Sequence, residues 1–262
     1  MAALAERIVH IPPIAEEVCR RYLTAFDAQH PGLLTGLYLV GSIALDDFHP
    51  LESDVDFLAL TRRPVDLADV AEVHANFSGN RPFFDGLYVT EAELRTLPGP
   101  TLRGVTVING KPSAHSGDER HPVTWLTLAR HGLAVRGPAP DPSWIAADLA
   151  AAQAHSRGNL DSYWRGWIAS RRALPAATLS VDDIAWSVLG ISRLHALIVE
   201  GLILSKTGAG HYALSAFPQH RSVIETALAI RFGRAELGSG PPERFTAMFA
   251  FLDNVIADTS RR

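Results

Sequence analysis

The spacing of apolar positions divides the chain into two parts. The first stretch has apolar residues at helical spacing, at Ile14, Val18, Tyr22 and Ala25. We predict a helix there over about 13–30, which Pro31-Gly32 ends. Beyond it, short apolar runs bounded by turn residues predict strands. The predicted strands are 36–40, 55–60, 83–90 and 133–136, with a second helix at 67–77.

Strand patterns stop after about residue 143. From there, apolar residues recur at helical spacing. They predict five helices, at 143–155, 159–172, 182–201, 223–232 and 243–257. The Pro- and Gly-rich segment 137–142 is the clearest break in composition. We therefore predict an α+β fold: a domain with a mixed sheet and flanking helices over 1–150, then an all-helical bundle over 151–262.

Composition narrows the class of protein. The chain has 262 residues, of which 47% are hydrophobic and 20% charged, and this balance is typical of a globular protein. A net charge of -4 gives no general attraction to nucleic acids or anionic membranes, so we expect neither as a partner. A small cationic substrate suits this charge better.

Cysteine usage and the N-terminus bear on location. Cys19 is the single cysteine, so an intrachain disulfide is impossible and a reducing compartment is indicated. Glu6 and Arg7 interrupt the region where a signal peptide needs an apolar run. No apolar run approaches membrane-spanning length. We expect a cytoplasmic protein.

The candidate chemistry begins at the second predicted strand. Asp54 and Asp56 open this strand, and residues two apart on a strand point to the same face. Two carboxylates held so close repel each other, and a cation between them relieves the repulsion. Oxygen ligands select a hard ion such as Mg²⁺, which in proteins usually accompanies substrate phosphates.

Two further features complete the pattern. Gly41-Ser42 ends the preceding strand, where a glycine lets the backbone approach a ligand and a serine offers a hydroxyl and an amide to phosphate. Asp85, on the next predicted strand, is a candidate third metal ligand or a base for an attacking hydroxyl.

Each feature has a plainer interpretation when it stands alone. Asp-x-Asp and Gly-Ser are both common at polar turns. Their order along the chain makes the difference: strand, Gly-Ser, polar turn, Asp-x-Asp opening a strand, then a strand with an acid. This order favours nucleotidyl transfer. A zinc site is not indicated, because His115, His121 and His131 lack ligand spacing and no cysteine joins them.

The same order resembles the signature of the polymerase-beta-type nucleotidyltransferase superfamily. More narrowly, the chain resembles the streptomycin/spectinomycin adenylyltransferases, a branch of the aminoglycoside nucleotidyltransferases. Segments 37–42 and 53–58 carry the match in the first half. Segments 128–138, 188–193 and 201–206 extend the match over most of the chain.

The resemblance implies an adenylyltransferase that uses ATP and Mg²⁺, acts as a monomer, and modifies a hydroxyl of an aminocyclitol or aminoglycoside. In the first half it implies contacts to the triphosphate and the metal. The residues concerned are Gly41, Ser42 and Ser53 at the phosphates and Asp54, Asp56 and Asp85 at the metal. Asp85 is also the implied catalytic base.

In the helical half the resemblance implies that Arg193 and Lys206 contact the nucleotide and that Asp183 holds the aminoglycoside. Each also has a structural interpretation. Ser180 and Asp183 have the spacing of a capping box, Arg193 is a cation among apolar positions, and Lys206 precedes a possible helix cap. The aromatic group Tyr163, Trp164 and Trp167 has helical spacing, typical of packing, although one ring could stack on a ligand.

The chain departs from the family pattern at three positions, and these departures bear on which acceptor is expected. Asp85 stands where the family usually has glutamate, one methylene longer. Leu174 and Leu179 stand where a tryptophan and an aspartate are associated with streptomycin recognition. Spectinomycin is therefore favoured over streptomycin. Two alternatives stay open: a regulatory module that binds nucleotide without turnover, and an adenylyltransferase with a non-antibiotic or protein hydroxyl as acceptor.

Overall fold

The computed structural model describes residues 10–77, 79, 81–234 and 241–262. The chain divides into two units, Met1–Asp148 and Leu149–Arg262. Glu6 and Arg7 lie outside the described residues. No helix of the described part is long and apolar enough to cross a membrane.

The N-terminal unit contains six strands and five helices in its described residues. The strands are β1 Leu34–Leu39, β2 Val55–Thr61, β3 Phe84–Thr90, β4 Gly104–Ile108, β5 Lys111–Ser116 and β6 Leu133–Arg136. The helices are α1 Pro13–Gln29, α2 Gly41–Ala44, α3 Leu67–Ala75, α4 Glu91–Leu94 and α5 Pro122–His131.

These strands form one mixed sheet in the order β5-β4-β3-β2-β1-β6. Strands β2 and β3 run parallel, and every other neighbouring pair is antiparallel. The central strands are nearly continuous apolar runs because helices cover both faces of the sheet. Tyr22, Phe57 and Phe84 pack on one face, and Leu58 and Trp125 belong to the core on the other. The predicted mixed sheet with flanking helices is confirmed.

The C-terminal unit is helical in its described residues. Its α-helices are α6 Leu149–Asn159, α7 Arg165–Arg172, α8 Val181–Glu200, α9 Lys206–Ala216, α10 Arg221–Arg231 and α11 Pro241–Arg261. A π-helical turn, Leu160–Trp164, joins α6 to α7. Helix α8 is central: Ile184, Val188 and Ile191 are fully buried in a core shared with Met248 and Phe251 of α11. The predicted α+β fold is confirmed.

One predicted helix begins later than expected. We predicted it from residue 143, but the helix starts at Leu149. Ile145 is instead buried in the core of the N-terminal unit, and the amide of Ala146 donates to the carbonyl of Leu94. These long-range contacts hold 143–148 in a non-helical path, although the sequence is alanine-rich.

The β4–β5 hairpin, α5 and α9 were not predicted from the sequence. Strand β5, Lys-Pro-Ser-Ala-His-Ser, lies at the sheet edge and buries little, so its sequence shows no apolar alternation. Helix α9 contains two glycines that weaken the helical pattern, and the side chain of Ser205 caps it by accepting from the amide of Gly208.

Candidate active site

The N-terminal unit brings the three predicted acids to one face of the sheet. Asp56 on β2 lies beside Asp85 on β3 in the parallel register, and in-register neighbours point to the same face. Asp54 is two residues before Asp56, so its side chain shares that face. This adjacency depends on strand pairing between residues about thirty apart, which the sequence alone does not specify.

Gly41 allows the backbone to approach Asp56 closely. Its φ of 60° is in the left-handed region, and a Cβ atom built there would lie 1.9 Å from Asp56 Oδ2. The next residue, Ser42, donates its backbone N–H to the Asp56 carboxylate. Any larger residue at position 41 would displace this carboxylate, so the Gly-Ser turn and Asp56 form one geometric unit.

Asp56 is poorly compensated as an anion. Its pKa is raised to about 7, first because of burial and then because of the charges of Glu119, Asp54 and Asp85; the amide of Ser42 opposes the shift only in part. A bound cation would favour the ionised form of this carboxylate. The raised pKa is therefore the feature that best fits a metal ion at this face.

The two predicted serines are placed differently. The Ser42 hydroxyl is buried and has no hydrogen-bond partner within the described residues. Buried hydroxyls are normally satisfied, so this hydroxyl keeps hydrogen-bonding capacity that the described residues leave unused. Ser53 Oγ already accepts from the amide of His49 at 3.1 Å and holds the turn before β2.

Asp54 is held by groups that the sequence analysis missed. Arg81 Nη1 donates to both of its carboxylate oxygens at 3.1 Å, and the amide of Phe83 donates to Oδ1 at 3.0 Å. Arg81 also donates to the carbonyl of Glu52, so it bridges the segments that precede β2 and β3. A guanidinium thus neutralises one of the two carboxylates of the Asp-x-Asp pair.

Asp85 is fixed by the β4–β5 hairpin. The amide of Asn109 donates to Oδ2 and that of Gly110 to Oδ1, each at 2.7 Å. Both turn residues have positive φ, 52° and 68°, as a tight hairpin turn requires. Burial raises the pKa of Asp85, whereas these two amides act against that rise.

The acids suit a hard divalent ion by chemistry, because all are carboxylates. Within the described residues, however, no group of three or more His, Cys, Asp or Glu side chains is arranged to hold a metal ion. Asp54 and Asp56 are the pair that fits best, since they flank one position on the strand and repel each other. Asp85 is oriented by its hairpin amides towards the same face.

In the helical unit, Asp183 takes part in a capping box. Ser180 is the N-cap of α8, its backbone N–H donates to Asp183 Oδ2 at 3.1 Å, and its hydroxyl accepts from the amide of Asp182. Arg171 Nε lies 3.7 Å from Asp183 Oδ1. Both contacts join Asp183 to residues of the same unit. The aminoglycoside contact of Asp183 stays a prediction.

Arg193 connects the two helical segments that the resemblance singled out. It lies on α8, and its Nε donates to the carbonyl of Leu204 at 3.0 Å, in the loop before α9. Lys206 is the first residue of α9. The segments 188–193 and 201–206 are therefore neighbours in this unit.

The aromatic group is larger than the sequence suggested. Trp186 on α8 joins it, with its ring centroid 4.7 Å from that of Trp164 and 5.0 Å from that of Trp167. Trp164 is 4% exposed and serves as packing, whereas Trp186 is 37% exposed. The signal for Trp186 was its position one turn after Asp183 on the same helix face.

Comparison with known proteins agrees with this architecture. Residues 161–252 match the profile of the C-terminal domain of aminoglycoside adenylyltransferases, and residues 19–95 match that of the nucleotidyltransferase domain. The two matches together support an aminoglycoside adenylyltransferase family. The chain is thus a nucleotidyltransferase, as the order of its motifs predicted.

A solved structure shares the fold of this chain. It is the crystal structure of spectinomycin adenyltransferase AAD(9) from Enterococcus faecialis with ATP and spectinomycin. The match has a TM-score of 0.62 and 15% sequence identity, and it covers 92% of this chain and 98% of that one. A comparison with curated protein sequences finds no match.

Proposed function

We propose that this nucleotidyltransferase uses Mg-ATP to transfer AMP to a hydroxyl of a small aminocyclitol or aminoglycoside, with spectinomycin as the favoured acceptor. One observation carries the proposal. On a single face of the sheet, an undercompensated Asp56 is in contact with a Gly-Ser turn whose Ser42 hydroxyl lacks a partner in the described structure.

The residues of this face have separate tasks in the proposed reaction. Ser42 donates its hydroxyl to a phosphate oxygen of ATP, and Gly41 keeps the backbone close to that phosphate. Asp54 and Asp56 would hold Mg²⁺, with Asp85 beside them. The ion would neutralise charge that develops at the α-phosphate. A carboxylate on this face accepts the proton of the acceptor hydroxyl, a role that the family resemblance assigns to Asp85.

The helical unit supplies the acceptor and nucleotide contacts in this proposal. Arg193 and Lys206 contact the nucleotide, and Asp183 contacts a cationic group of the acceptor. The choice of spectinomycin is supported by Leu174 and Leu179, which replace the residues associated with streptomycin. Leu174 is 42% exposed and Leu179 packs against the helical core, so neither offers a charge or an aromatic face to streptomycin.

We also propose a cytoplasmic monomer. Cys19 is buried and unpaired, which suits a reducing compartment. The monomeric state rests on the family resemblance.

A second candidate is a regulatory module that binds nucleotide without turnover. The ion pair between Arg81 and Asp54 favours it, because a guanidinium occupies a carboxylate that a metal ion would need. On this alternative the protein binds ATP but releases no pyrophosphate with any acceptor. If the acceptor is instead a hydroxyl on a protein, AMP is transferred to that protein even when no antibiotic is present.

The test is pyrophosphate release from Mg-ATP by the purified protein, with spectinomycin and streptomycin as acceptors. We expect release with spectinomycin, little with streptomycin, and none in Asp54→Ala. Equal release in the variant would contradict the role of the Asp-x-Asp pair. ATP binding without release from any acceptor would support the regulatory module.

A further inference from the structure

We propose that Arg81 binds the triphosphate of ATP, and that before the nucleotide arrives the same guanidinium serves as the counter-ion of Asp54. The inference rests on the proposed use of Mg-ATP. It adds a nucleotide contact that neither the sequence motifs nor the family resemblance assigns. It also gives the ion pair between Arg81 and Asp54 a role in the transferase itself.

Direct contacts place Arg81 at the acid pair. Its Nη1 lies 3.1 Å from each carboxylate oxygen of Asp54 and donates to the carbonyl of Glu52 at 3.0 Å. Its guanidinium carbon lies 5.4 Å from the ring centroid of Phe83, whose amide donates to the same Asp54 carboxylate. Arg81 is therefore bonded to both neighbours of Ser53, a predicted phosphate contact.

The guanidinium keeps donors for a ligand. All of its hydrogen bonds use Nη1, and within residues 10–77, 79, 81–234 and 241–262 neither Nε nor Nη2 of Arg81 has a partner. The Arg81 side chain is 46% exposed, so a ligand can approach it from solvent. Arginine presents its N–H groups as a planar fork that matches the oxygens of a phosphate. The spare donors therefore fit a phosphate group that arrives beside Asp54.

The charge of this face calls for a cationic side chain. Asp54, Asp56 and Asp85 share the face, and a triphosphate brings further negative charge to it. A divalent ion offsets only part of this charge. Among the residues that the structure describes, Arg81 is the only cationic side chain in an ion pair with any of the three acids. It is thus the group of this unit that is placed to offset the charge of the nucleotide.

The ion pair is of a kind that can exchange its partner. The side chains of Arg81 and Asp54 are 46% and 20% exposed, and partly exposed ion pairs contribute little to stability. The amide of Phe83 donates to Asp54 independently of Arg81, so the carboxylate keeps its direction when the guanidinium turns to a phosphate. Asp54 is then free to act with Asp56 on the ion that this pair would hold.

The proposal predicts opposite effects on two ligands. Without the guanidinium, Asp54 loses its counter-ion, so a metal ion alone binds more tightly. ATP loses a charge-assisted hydrogen bond, so it binds more weakly. A purely structural Arg81 would not separate the two affinities, because a displaced Asp54 carboxylate would weaken both.

The experiment measures the binding of Mn²⁺ alone by electron paramagnetic resonance and of Mg-ATP by calorimetry. The variants are Arg81→Gln and Arg81→Lys, with Arg63→Gln as a matched control. Arg63 Nη1 lies 2.7 Å from Asp69 Oδ2, so the control also breaks an arginine–aspartate pair. It follows the far end of β2, roughly 20 Å from the acids at a rise of about 3.3 Å per residue.

We expect Arg81→Gln to bind Mn²⁺ about two- to fivefold more tightly, the usual effect of a partly exposed ion pair. Its Kd for Mg-ATP should rise about tenfold or more, as loss of a hydrogen bond to a charged group causes. Arg81→Lys keeps the charge without the fork, so its Kd for Mg-ATP should lie between those of Arg81→Gln and the wild type. Arg63→Gln should leave both affinities unchanged.

An Arg81→Gln variant with the wild-type affinity for Mg-ATP, or with a weaker affinity for Mn²⁺, would overturn the inference. Neither measurement needs an acceptor. Failure of spectinomycin in the transfer assay therefore contradicts the proposed function alone, and the two affinities still decide the role of Arg81.

Discussion

The two units hold their charged candidate residues in different ways. In the N-terminal unit, Asp56 has a pKa raised to about 7 and the buried Ser42 hydroxyl lacks a partner among the described residues. In the helical unit, Asp183 completes a capping box and Arg193 donates to the carbonyl of Leu204. Asp56 and Ser42 of the first unit are therefore not fully satisfied by the described residues, whereas Asp183 and Arg193 of the second unit already bond to nearby backbone groups.

This contrast indicates how the two sets of residues affect stability. A residue whose contacts serve a ligand costs stability in the ligand-free protein, and its removal harms function alone. A residue that caps a helix and also contacts a ligand contributes to stability as well as to function. Substitutions in the two units should therefore separate activity from stability to different degrees.

The largest expected effect is at Asp56. Asp56→Asn should lower AMP transfer about a thousandfold, as loss of a group that stabilises transition-state charge typically does. It should also raise the free energy of unfolding at pH 8 by about 1 to 2 kcal/mol, because a repelled, partly buried charge is removed. Steady-state rates and denaturant unfolding measure the two quantities.

Asp54→Asn is the matched comparison for Asp56→Asn. It should lose similar activity without gaining stability, because Asp54 accepts from Arg81 and from the amide of Phe83. If both variants were equally stabilised, the contrast between a compensated and an uncompensated carboxylate would be wrong.

The second prediction concerns Gly41. Gly41→Ala places a Cβ against Asp56 Oδ2 at a positive φ, so we expect a loss of about 1 to 3 kcal/mol in stability and a large loss of transfer. Gly32→Ala is the control: φ is 72° there, but no atom lies within 4 Å of the added Cβ. Equal stability losses in the two variants would show that backbone strain alone explains the effect.

The third prediction is a pH dependence of the N-terminal unit. Burial lowers the pKa of His74 from 6.5 to about 4. The unfolded chain then binds more protons than the folded one between these values, so stability falls as the pH is lowered through that window. From pH 7 to pH 5 the free energy of unfolding should drop by about 2 kcal/mol on account of His74.

His74→Gln tests the source of this pH dependence. Glutamine does not titrate and can still reach the Tyr88 hydroxyl, the present partner of His74 Nε2 at 2.7 Å. Denaturant unfolding of the variant should change less between pH 7 and pH 5 than that of the wild type. An unchanged slope would assign the pH dependence to other groups.

The smallest expected effects lie in the capping box of α8. Ser180→Ala and Asp183→Ala should each lower the free energy of unfolding by about 1 kcal/mol, the usual value of a helix cap. If Asp183 also binds the acceptor, only Asp183→Ala raises the KM for spectinomycin. Equal KM values in the two variants would leave Asp183 a structural residue.

Local patterns in the sequence were sufficient for much of the fold. The Gly41-Ser42 turn, the Asp-x-Asp pair and the capping box at Ser180 are each specified within a few residues, and the structure contains all three. The start of the helix at Leu149 was wrong because Ile145 is buried in the core of the N-terminal unit. Strand β5 was missed because an exposed edge strand has no apolar pattern.

The sequence by itself determined the α+β class and the order of motifs. Only the tertiary structure decided what surrounds each acid. Arg81 donates to Asp54 across 27 residues of sequence, and the hairpin amides donate to Asp85 across 24 and 25. The negative charge of Glu119, which follows β5, contributes to the raised pKa of Asp56. Such contacts arise from strand pairing and turn geometry, which bring distant residues together at no fixed spacing in the sequence.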